Sequence, residues 1–328
     1  MLGTKMETLL AVVEYKNFTK AAEALSLTQP AVSHHINQLE EELGAVLFVR
    51  RLLPRKTAVG HGGTLDPDAA GVLPVCVGRA TRLFDYIIDK TKVYIGELCL
   101  GVTTDTADAS GKVLETRPVR ASADDVKRVL PEFTGHIWQV PPMYSALKRD
   151  GRPLYELARR GETLDIPARE VVVHGVEYLC ETAPGRHLLA IECGKGVYIR
   201  SLMRDIGERL GDCGHMSFLL RARAGAFTVN DAYTLDELKA MGDLTPALRP
   251  MDALLGGYIR VDVRGQYEAK VRAGVPLRPE WTENYPDADG FFRVYVNGVF
   301  AGMGEKTETG EIRFRAMLLP PINETLPK

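Results

Sequence analysis

A short glycine-rich segment carries the first side chain that could do chemistry. The residues GGTLDP (62–67) place Asp66 directly in front of a proline. An aspartate with an ordinary pKa of about 4 is ionised at neutral pH, so it can act as a nucleophile once it is held beside a cation. An aspartate before proline is also a common turn former, and the residues alone leave both interpretations open.

Several common active-site patterns are absent from the sequence. Asp68 is close to Asp66 in sequence, but two carboxylates on either side of a proline need not face one cavity, so a glycosidase pair is not indicated. The sequence has no P-loop, no dinucleotide-binding G-x-G-x-x-G, no G-x-S-x-G and no H-E-x-x-H. Its 5 cysteines include no C-x-x-C pair, so we expect neither disulfides nor a metal site.

Length and charge set the broad class. The 328 residues, 45% hydrophobic and 26% charged, are typical of a folded protein of two or three domains. The sequence has no apolar run of about 18 residues and no secretion signal, so we expect a cytoplasmic protein that does not enter a membrane. With a net charge of −2, nucleic-acid binding would depend on local basic clusters, at 50–56 and 200–223.

The hydrophobic periodicity predicts an α+β protein. The pattern over residues 6–44 predicts three short helices in a helix-turn-helix. A helical stretch interrupted by Gly71 and Pro74 is expected at 69–88, and further helices are expected at 123–130 and 201–210. Alternating residues predict strands at 92–101, 171–179 and 187–193. Since strands and helices do not alternate regularly, we expect a mixed, mainly antiparallel sheet. Asn297-Gly298, between two strand patterns, predicts a hairpin in a small β-rich module near the end of the chain.

The helix-turn-helix has a recognisable sequence. FTKAAEALSLTQPAVSHHINQLEEELG (18–44) resembles the amino-terminal DNA-reading segment of LysR-type transcription regulators. The resemblance implies that the third helix enters the major groove of duplex DNA, with Gln29, Ser33 and His34 near bases or phosphates. After Arg51 the sequence departs from that family, whose wing and effector domain do not follow.

Later segments resemble a second family, the bacterial tRNA pseudouridine-55 synthases (TruB). The matching motifs, in order, are VGHGGTLDPDAAGVLPVCVGRATR, KVYIGELCLGVTTDTADASG, PPMYSALKRDGRPLYELARRG, GKGVYIRSLMRDIGERLG and HMSFLLRARAGAF. The resemblance covers about residues 48–318. It implies a pseudouridine synthase catalytic domain at 48–250 and a PUA-like domain at 251–320, behind the helix-turn-helix segment at 1–47.

This second resemblance implies an activity and a set of catalytic residues. The activity is isomerisation of a uridine to pseudouridine at position 55, in the T arm of tRNA, with the base flipped out of its stack and no cofactor. Asp66 would be the nucleophile and Arg200 its ion-pair partner. Tyr94 would stack on the extruded base. Tyr198, expected on one strand face with Arg200, would abstract the proton that completes the product.

The same resemblance implies further contacts to RNA. His61 would occupy the space that the base vacates, and Leu219 would line the uracil pocket. Phosphates would be bound by basic side chains in or beside the motifs, namely Lys148, Arg149, Lys195, Arg221 and Arg223. We expect a monomer whose partner is tRNA, with duplex DNA as a second partner for the amino-terminal segment.

The chain departs from the TruB pattern at its start. That family begins with a strand and a loop of the type G-x-x-x-x-x-K-P-x-G-x-T-S, and here the regulator-like segment stands in their place. We interpret the chain as a fusion joined at residues 48–51, and expect a lower folding yield with the site residues still clustered. The sequence is compatible with three functions: a tRNA isomerase, a fragment of a DNA-binding regulator, and a fusion that binds RNA without turnover.

Overall fold

The computed structural model describes residues 49–66, 68–88, 90–145, 147–149, 152–154 and 164–320. The predicted helix-turn-helix, with Gln29, Ser33 and His34, lies outside these residues. Two compact units divide the chain. The first is drawn from Thr64–Leu73 and Lys90–Ala232, and the second from Phe48–Gly63, Pro74–Asp89 and Tyr233–Lys328. The domain boundaries expected from the sequence stay a prediction.

Strands make up most of the regular secondary structure among the described residues. They are β1 Val59–His61, β2 Ala70–Gly71, β3 Val75–Val77, β4 Lys92–Leu100, β5 Val102–Thr104, β6 Val113–Thr116, β7 Gly135–Gln139, β8 Lys148–Arg149, β9 Arg152–Pro153, β10 Arg169–Ala183, β11 Arg186–Cys193, β12 Gly214–Ala224, β13 Phe227–Thr228, β14 Ile259–Val263, β15 Phe291–Val296, β16 Val299–Lys306 and β17 Ile312–Met317.

The helices whose two ends both lie among the described residues are short apart from one. They are α1 Phe84–Ile88, α2 Ala123–Val129, α3 Ile199–Leu210, α4 Leu235–Met241 and α5 Glu268–Arg272. Turns of 3-10 helix lie at Gly78–Leu83, Leu130–Phe133, Val229–Asp231, Thr245–Ala247, Gly265–Tyr267 and Pro279–Trp281. Within the described part of the chain, no helix has the length and apolarity needed to cross a bilayer.

The first unit is built on one large sheet. Its strand order is β13-β12-β4-β11-β10-β7, and β2 pairs with β12 beside this path. Every pair in the path is antiparallel, whereas β2 runs parallel to β12. The prediction of a mixed, mainly antiparallel sheet is therefore confirmed, as are the strands expected near 92–101, 171–179 and 187–193.

Helix α3 packs on one face of this sheet because β4 leaves space for it. A Cβ atom at Gly96 would lie 2.7 Å from Cε of Met203 and 3.4 Å from Cγ2 of Ile199, so the glycine allows the helix to approach closely. Ile199, Leu202, Met203 and Ile206 recur at helical spacing and are all buried. They join the core that β4, β10 and β11 supply from the sheet side.

One predicted helix is wrong. Residues 69–88 form two short strands, a 3-10 turn and the short helix α1 instead of an interrupted helical stretch. Gly71 has a φ of +111°, outside the helical region, and Pro74 removes a backbone donor. Pairing of Ala70 and Gly71 with Leu220 and Arg221 of β12 outweighs the local helical periodicity.

In the second unit, β1 pairs with β3, and a small sheet has the order β14-β15-β16-β17. The predicted hairpin is confirmed. Asn297 and Gly298 join β15 to β16 with φ values of 50° and 74°, the positive pair that a type I′ turn requires. The core under this sheet includes Val261, Phe292, Val294 and Ile312. The assignment of this sheet to a PUA-like domain stays a prediction.

Candidate active site

A carboxylate and a guanidinium meet within the first unit. Arg200 Nε donates to Asp66 Oδ2 at 3.1 Å, and its Nη2 donates to Asp66 Oδ1 at 2.9 Å. The Arg200 side chain is 6% exposed, whereas that of Asp66 is 30% exposed. The two parallel hydrogen bonds hold both carboxylate oxygens while leaving the aspartate accessible from outside.

Arg200 is itself held by further acceptors. Its Nη1 donates to the carbonyl of Thr106 at 3.3 Å and lies 3.4 Å from Asp108 Oδ2, and its Nη2 donates to the carbonyl of Tyr144 at 3.0 Å. Asp108 is fixed in turn, because its Oδ1 accepts from Ser110 N at 3.0 Å. The buried guanidinium therefore has a satisfied, single orientation towards Asp66.

Arg221 organises the segment that carries Asp66. Its Nη1 donates to the carbonyl of Thr64 at 3.2 Å and its Nε donates to the carbonyl of Val72 at 2.7 Å, so it binds the chain on both sides of Asp66. Arg221 is 1% exposed. These contacts give Arg221 a structural role, and the phosphate contact expected at this residue stays a prediction.

Tyr94 lies on β4, two residues before Gly96, and therefore on the sheet face that α3 covers. Its hydroxyl is hydrogen-bonded to the Arg221 guanidinium. Burial raises the pKa of Tyr94, while the charge of Arg221 lowers it and the charge of Asp66 raises it, with a net rise. The phenol is therefore neutral throughout the physiological pH range. Its predicted stacking on an extruded base stays a prediction.

The prediction that Tyr198 and Arg200 share a strand face is wrong. Tyr198 is the N-cap residue of α3, with φ −99° and ψ 111°, and Arg200 lies in the first turn of that helix. The strand β11 ends at Cys193, and a turn containing Gly196, with a φ of +82°, separates it from α3. The catalytic role expected for Tyr198 stays a prediction.

Other residues expected to contact RNA lie on several different elements of the first unit. Leu219 is 3% exposed, pairs with Gly96 across β12 and β4, and belongs to the core, so its lining of a uracil pocket stays a prediction. Arg223 is partly exposed and donates to Glu192 Oε1 at 2.6 Å. Lys195 is exposed in the turn before α3, and Lys148 lies in β8.

His61 belongs to the second unit, at the end of β1. Its ring meets Phe84 edge-on, with centroids 6.4 Å apart. Its Nδ1 is buried and has no hydrogen-bond partner among the residues that the structure describes. The role expected for His61 stays a prediction.

Sequence reasoning missed several parts of this site. Asp108 and the carbonyls of Thr106 and Tyr144 bind Arg200, and Gln139 binds the backbone of Tyr198. The first three lie within quoted motifs, TTDTADASG and PPMYSALK, so the motif strings contained a signal that residue types alone did not. Within the described residues, no cluster of His, Cys, Asp and Glu is arranged to hold a metal ion.

Comparison with known folds and families defines the class of the protein. The fold resembles that in a structure of an H/ACA RNP bound to a substrate RNA containing 2′-deoxyuridine, with a TM-score of 0.64 and 22% identity, covering 85% of this chain and 81% of that chain. A Cbf5-Nop10-Gar1 complex matches with a TM-score of 0.62 and 25% identity over 81% and 74% of the two chains. Residues 50–199 match the family model of the TruB family pseudouridylate synthase N-terminal domain. The chain therefore has the mixed α+β fold of the pseudouridine synthases.

Individual relatives define the family within that class. The chain is 43% identical over 283 residues to tRNA pseudouridine synthase B of Pseudomonas fluorescens strain Pf0-1, covering 84% of this chain and 90% of the relative. It is 40% identical over 259 residues to the protein of the same name from Caldanaerobacter subterraneus, covering 78% and 88%. Residues 200–256 match the family model of the tRNA pseudouridylate synthase B C-terminal domain. The chain belongs to the tRNA pseudouridine synthase B (TruB) family.

The amino-terminal segment matches a different family. Residues 4–61 match the family model of bacterial regulatory helix-turn-helix proteins of the lysR family. This match overlaps the TruB match over residues 50–61. Both resemblances identified in the sequence are confirmed.

Proposed function

We propose that this chain isomerises a uridine of tRNA to pseudouridine, at position 55 in the T arm, with Asp66 as the nucleophile. The observation that carries the proposal is the pair of parallel hydrogen bonds from the buried Arg200 to both oxygens of Asp66. A carboxylate held in this way is oriented by a cation and open on one side, which is what a nucleophile needs. Membership of the TruB family supports the choice of tRNA as the substrate.

The reaction balances without any added reagent. The N1–C1′ glycosidic bond of the uridine breaks, the uracil rotates, and a C5–C1′ bond forms in its place. The proton on C5 is lost and N1 gains one, so the product is an isomer of the substrate. Asp66 supplies the nucleophilic oxygen at the start and is released at the end, and Tyr198 accepts the C5 proton in this proposal.

The base must leave its stack to reach Asp66. Flipping costs a few kcal/mol, which an aromatic platform offsets. Tyr94 is suited to this task because its hydroxyl is tied to Arg221, so that the ring is held on the α3 face of the sheet. Leu219 supplies apolar surface beside it.

The tRNA backbone is bound by basic residues in this proposal. Lys195 is exposed and Arg223 is partly exposed, and Lys148 lies in the hairpin of β8 and β9. Such contacts orient the RNA without reading its sequence, and they make binding salt-dependent. The protein acts as a monomer in the cytoplasm, where tRNA is found.

An assay with two matched variants tests the proposal. Unmodified tRNA and tRNA containing 5-fluorouracil are incubated with the wild-type protein, with Asp66→Asn, and with Asp68→Asn, whose carboxylate is exposed two residues away. We expect pseudouridine and a stable adduct with the wild type and Asp68→Asn, and neither with Asp66→Asn. Equal amounts of pseudouridine and adduct with wild type and Asp66→Asn would refute the proposed catalytic role of Asp66. RNA binding without turnover in all three proteins would identify a fusion whose catalysis has lapsed.

The match of residues 4–61 to the lysR family supports a second candidate function, binding of duplex DNA. Gln29, Ser33 and His34 are the residues proposed to contact it. We expect salt-sensitive binding of duplex DNA that is lost when Gln29 and Ser33 are both changed to alanine, whereas Asp66→Asn leaves it intact. DNA binding that survives in the double alanine variant would exclude recognition of DNA through Gln29 and Ser33.

A further inference from the structure

Gln139, the last residue of β7, binds the backbone of Tyr198 at two points. The Tyr198 N–H donates to Gln139 Oε1 at 2.8 Å, and Gln139 Nε2 donates to the Tyr198 carbonyl at 3.0 Å. Gln139 is 1% exposed. Its side-chain amide therefore pairs with Tyr198 as a neighbouring strand would, although 59 residues separate the two in sequence.

Arg169 holds the same turn from the neighbouring strand. It lies directly opposite Gln139 in the pairing of β10 with β7. Its Nη2 donates to the carbonyl of Gly196, and its guanidinium carbon lies 5.0 Å from the centre of the Tyr198 ring. Of this cross-strand pair, Gln139 binds the backbone of Tyr198. Arg169 contacts the carbonyl of Gly196 and the ring of Tyr198.

These contacts replace a local helix cap. Tyr198 is the N-cap of α3, and no side-chain cap hydrogen bond is made there. The Tyr198 carbonyl accepts from Leu202 N in the first turn of α3 as well as from Gln139. Because Arg200 lies in that first turn, the position of its guanidinium depends on where Tyr198 is held.

We propose that Gln139 and Arg169 are positioning residues, which fix Tyr198 and, through the start of α3, align Arg200 with Asp66. This inference rests on the proposed function, because it assigns the two residues a purpose in the same site. Neither residue touches Asp66 in the contacts that hold the carboxylate. They act through the turn at Gly196–Tyr198.

Gln139→Leu tests the proposal because leucine keeps the volume and removes both hydrogen bonds. We expect kcat for pseudouridine formation to fall at least about tenfold while KM for tRNA changes less than about threefold, since misalignment of a bound site affects chemistry more than binding. Gln139→Glu keeps the acceptor for the Tyr198 N–H and loses the donor. Its kcat, relative to wild type, is expected to rise as the pH falls, because a protonated glutamic acid regains a donor.

The adjacent cross-strand pair provides the control. Trp138 and Glu170 are opposite one another in the same two strands, and both are exposed. Trp138→Phe and Glu170→Gln are expected to leave kcat within about twofold of wild type. A kcat for Gln139→Leu within threefold of wild type, or a fall no larger than in the control variants, would overturn the proposal.

Hydrogen exchange gives a second readout that does not depend on activity. We expect the amides of a peptide covering residues 194–203 to exchange at least about tenfold faster in Gln139→Leu and in Arg169→Met than in wild type, while peptides from β15 and β16 are unchanged. Unchanged amide exchange at residues 194–203 in both variants would overturn the proposal that Gln139 and Arg169 hold Tyr198. If the wild-type protein forms no pseudouridine, the proposed function fails, and the exchange result alone decides whether Gln139 and Arg169 hold Tyr198.

Discussion

Arg200 donates two hydrogen bonds to Asp66 from a helix, although 134 residues separate them in sequence. The same guanidinium also donates to the carbonyls of Thr106 and Tyr144. One buried cation thus joins the Asp66 segment, the loop after β5 and the loop after β7. The geometry of the carboxylate consequently depends on the planar shape of the guanidinium as well as on its charge.

Replacing Arg200 by lysine tests the importance of that shape. Arg200→Lys keeps the positive charge but presents one ammonium group, which cannot meet both oxygens of Asp66 and two carbonyls. We expect kcat/KM for pseudouridine formation to fall about 100-fold or more, with the far-ultraviolet circular dichroism preserved. Arg209→Lys, at an exposed arginine of the same helix that is paired with Glu132, is the control and should change kcat/KM less than threefold. Near wild-type turnover in Arg200→Lys would mean that charge alone is sufficient.

Arg221→Met should unfold more easily than wild type. The change leaves the carbonyls of Thr64 and Val72 without this donor, and it removes the partner of the Tyr94 hydroxyl. An unsatisfied buried polar group costs about 1–3 kcal/mol, so we expect a loss of about 3 kcal/mol in the free energy of unfolding. Urea denaturation measures this quantity. Arg223→Met, two residues further along β12, should lose less than about 1 kcal/mol, and equal losses in the two variants would contradict the assigned role of Arg221.

Local sequence signals predicted the elements whose structure depends on near neighbours in the chain. The helix expected at 201–210, found as α3, and the Asn297-Gly298 hairpin are examples. The predicted helix over 69–88 failed because Gly71 pairs with Arg221, a residue 150 positions away that no local pattern reveals. Where tertiary pairing competes with local periodicity, the pairing determines the structure.

In the candidate site, too, the sequence predicted some features and missed those that depend on residues distant in the chain. The family motifs identified Asp66 and Arg200, and the structure brings the two together. The burial of Arg221 could not be read from its residue type, since arginines in a basic cluster are usually on the surface. The strand spacing inferred for Tyr198 and Arg200 failed because the helix begins between them, at Ile199.

Gly96→Val should push α3 away from the sheet. A Cβ atom at this position would lie 2.7 Å from Cε of Met203, whose flexible side chain can shift, and 3.4 Å from Cγ2 of the β-branched Ile199. A valine adds two methyl groups beyond that Cβ atom. Overpacking of this kind costs about 1–3 kcal/mol. Because α3 carries Arg200, we also expect a fall in kcat of about tenfold or more.

Thermal unfolding and a turnover assay measure the two effects of Gly96→Val. Gly175→Ala is the matched control in β10, because no heavy atom lies within 4 Å of a Cβ atom built there. It should keep both properties close to wild type. A Gly96→Val protein with wild-type stability and kcat would show that α3 tolerates displacement from β4.

Glu97 makes the stability of the sheet dependent on pH. Its carboxylate accepts from Thr182 Oγ1 at 2.6 Å, from Arg186 Nη1 at 3.2 Å and from the hydroxyl of Ser217, so it links β4 to β10, β11 and β12. Burial raises the pKa of Glu97, but the hydrogen bonds from Ser217 and Thr182 and the charge of Arg186 outweigh it, and the pKa lies below the ordinary value of 4.5.

The sign of the pH effect follows from that lowered pKa. A carboxyl whose pKa is lower in the folded state contributes stability above its unfolded pKa, and this contribution is lost as the pH falls through the folded pKa. Glu97→Gln should therefore cost about 1–2 kcal/mol of unfolding free energy at pH 7. The difference from wild type should shrink progressively below pH 4.5, measured by urea denaturation from pH 7 down to about pH 3.5. The exposed Glu177 of β10 supplies the control, since Glu177→Gln should have little effect at any of these pH values. A difference between Glu97→Gln and wild type that stays constant across this range would mean that packing, and not the carboxylate charge, accounts for the contribution of Glu97.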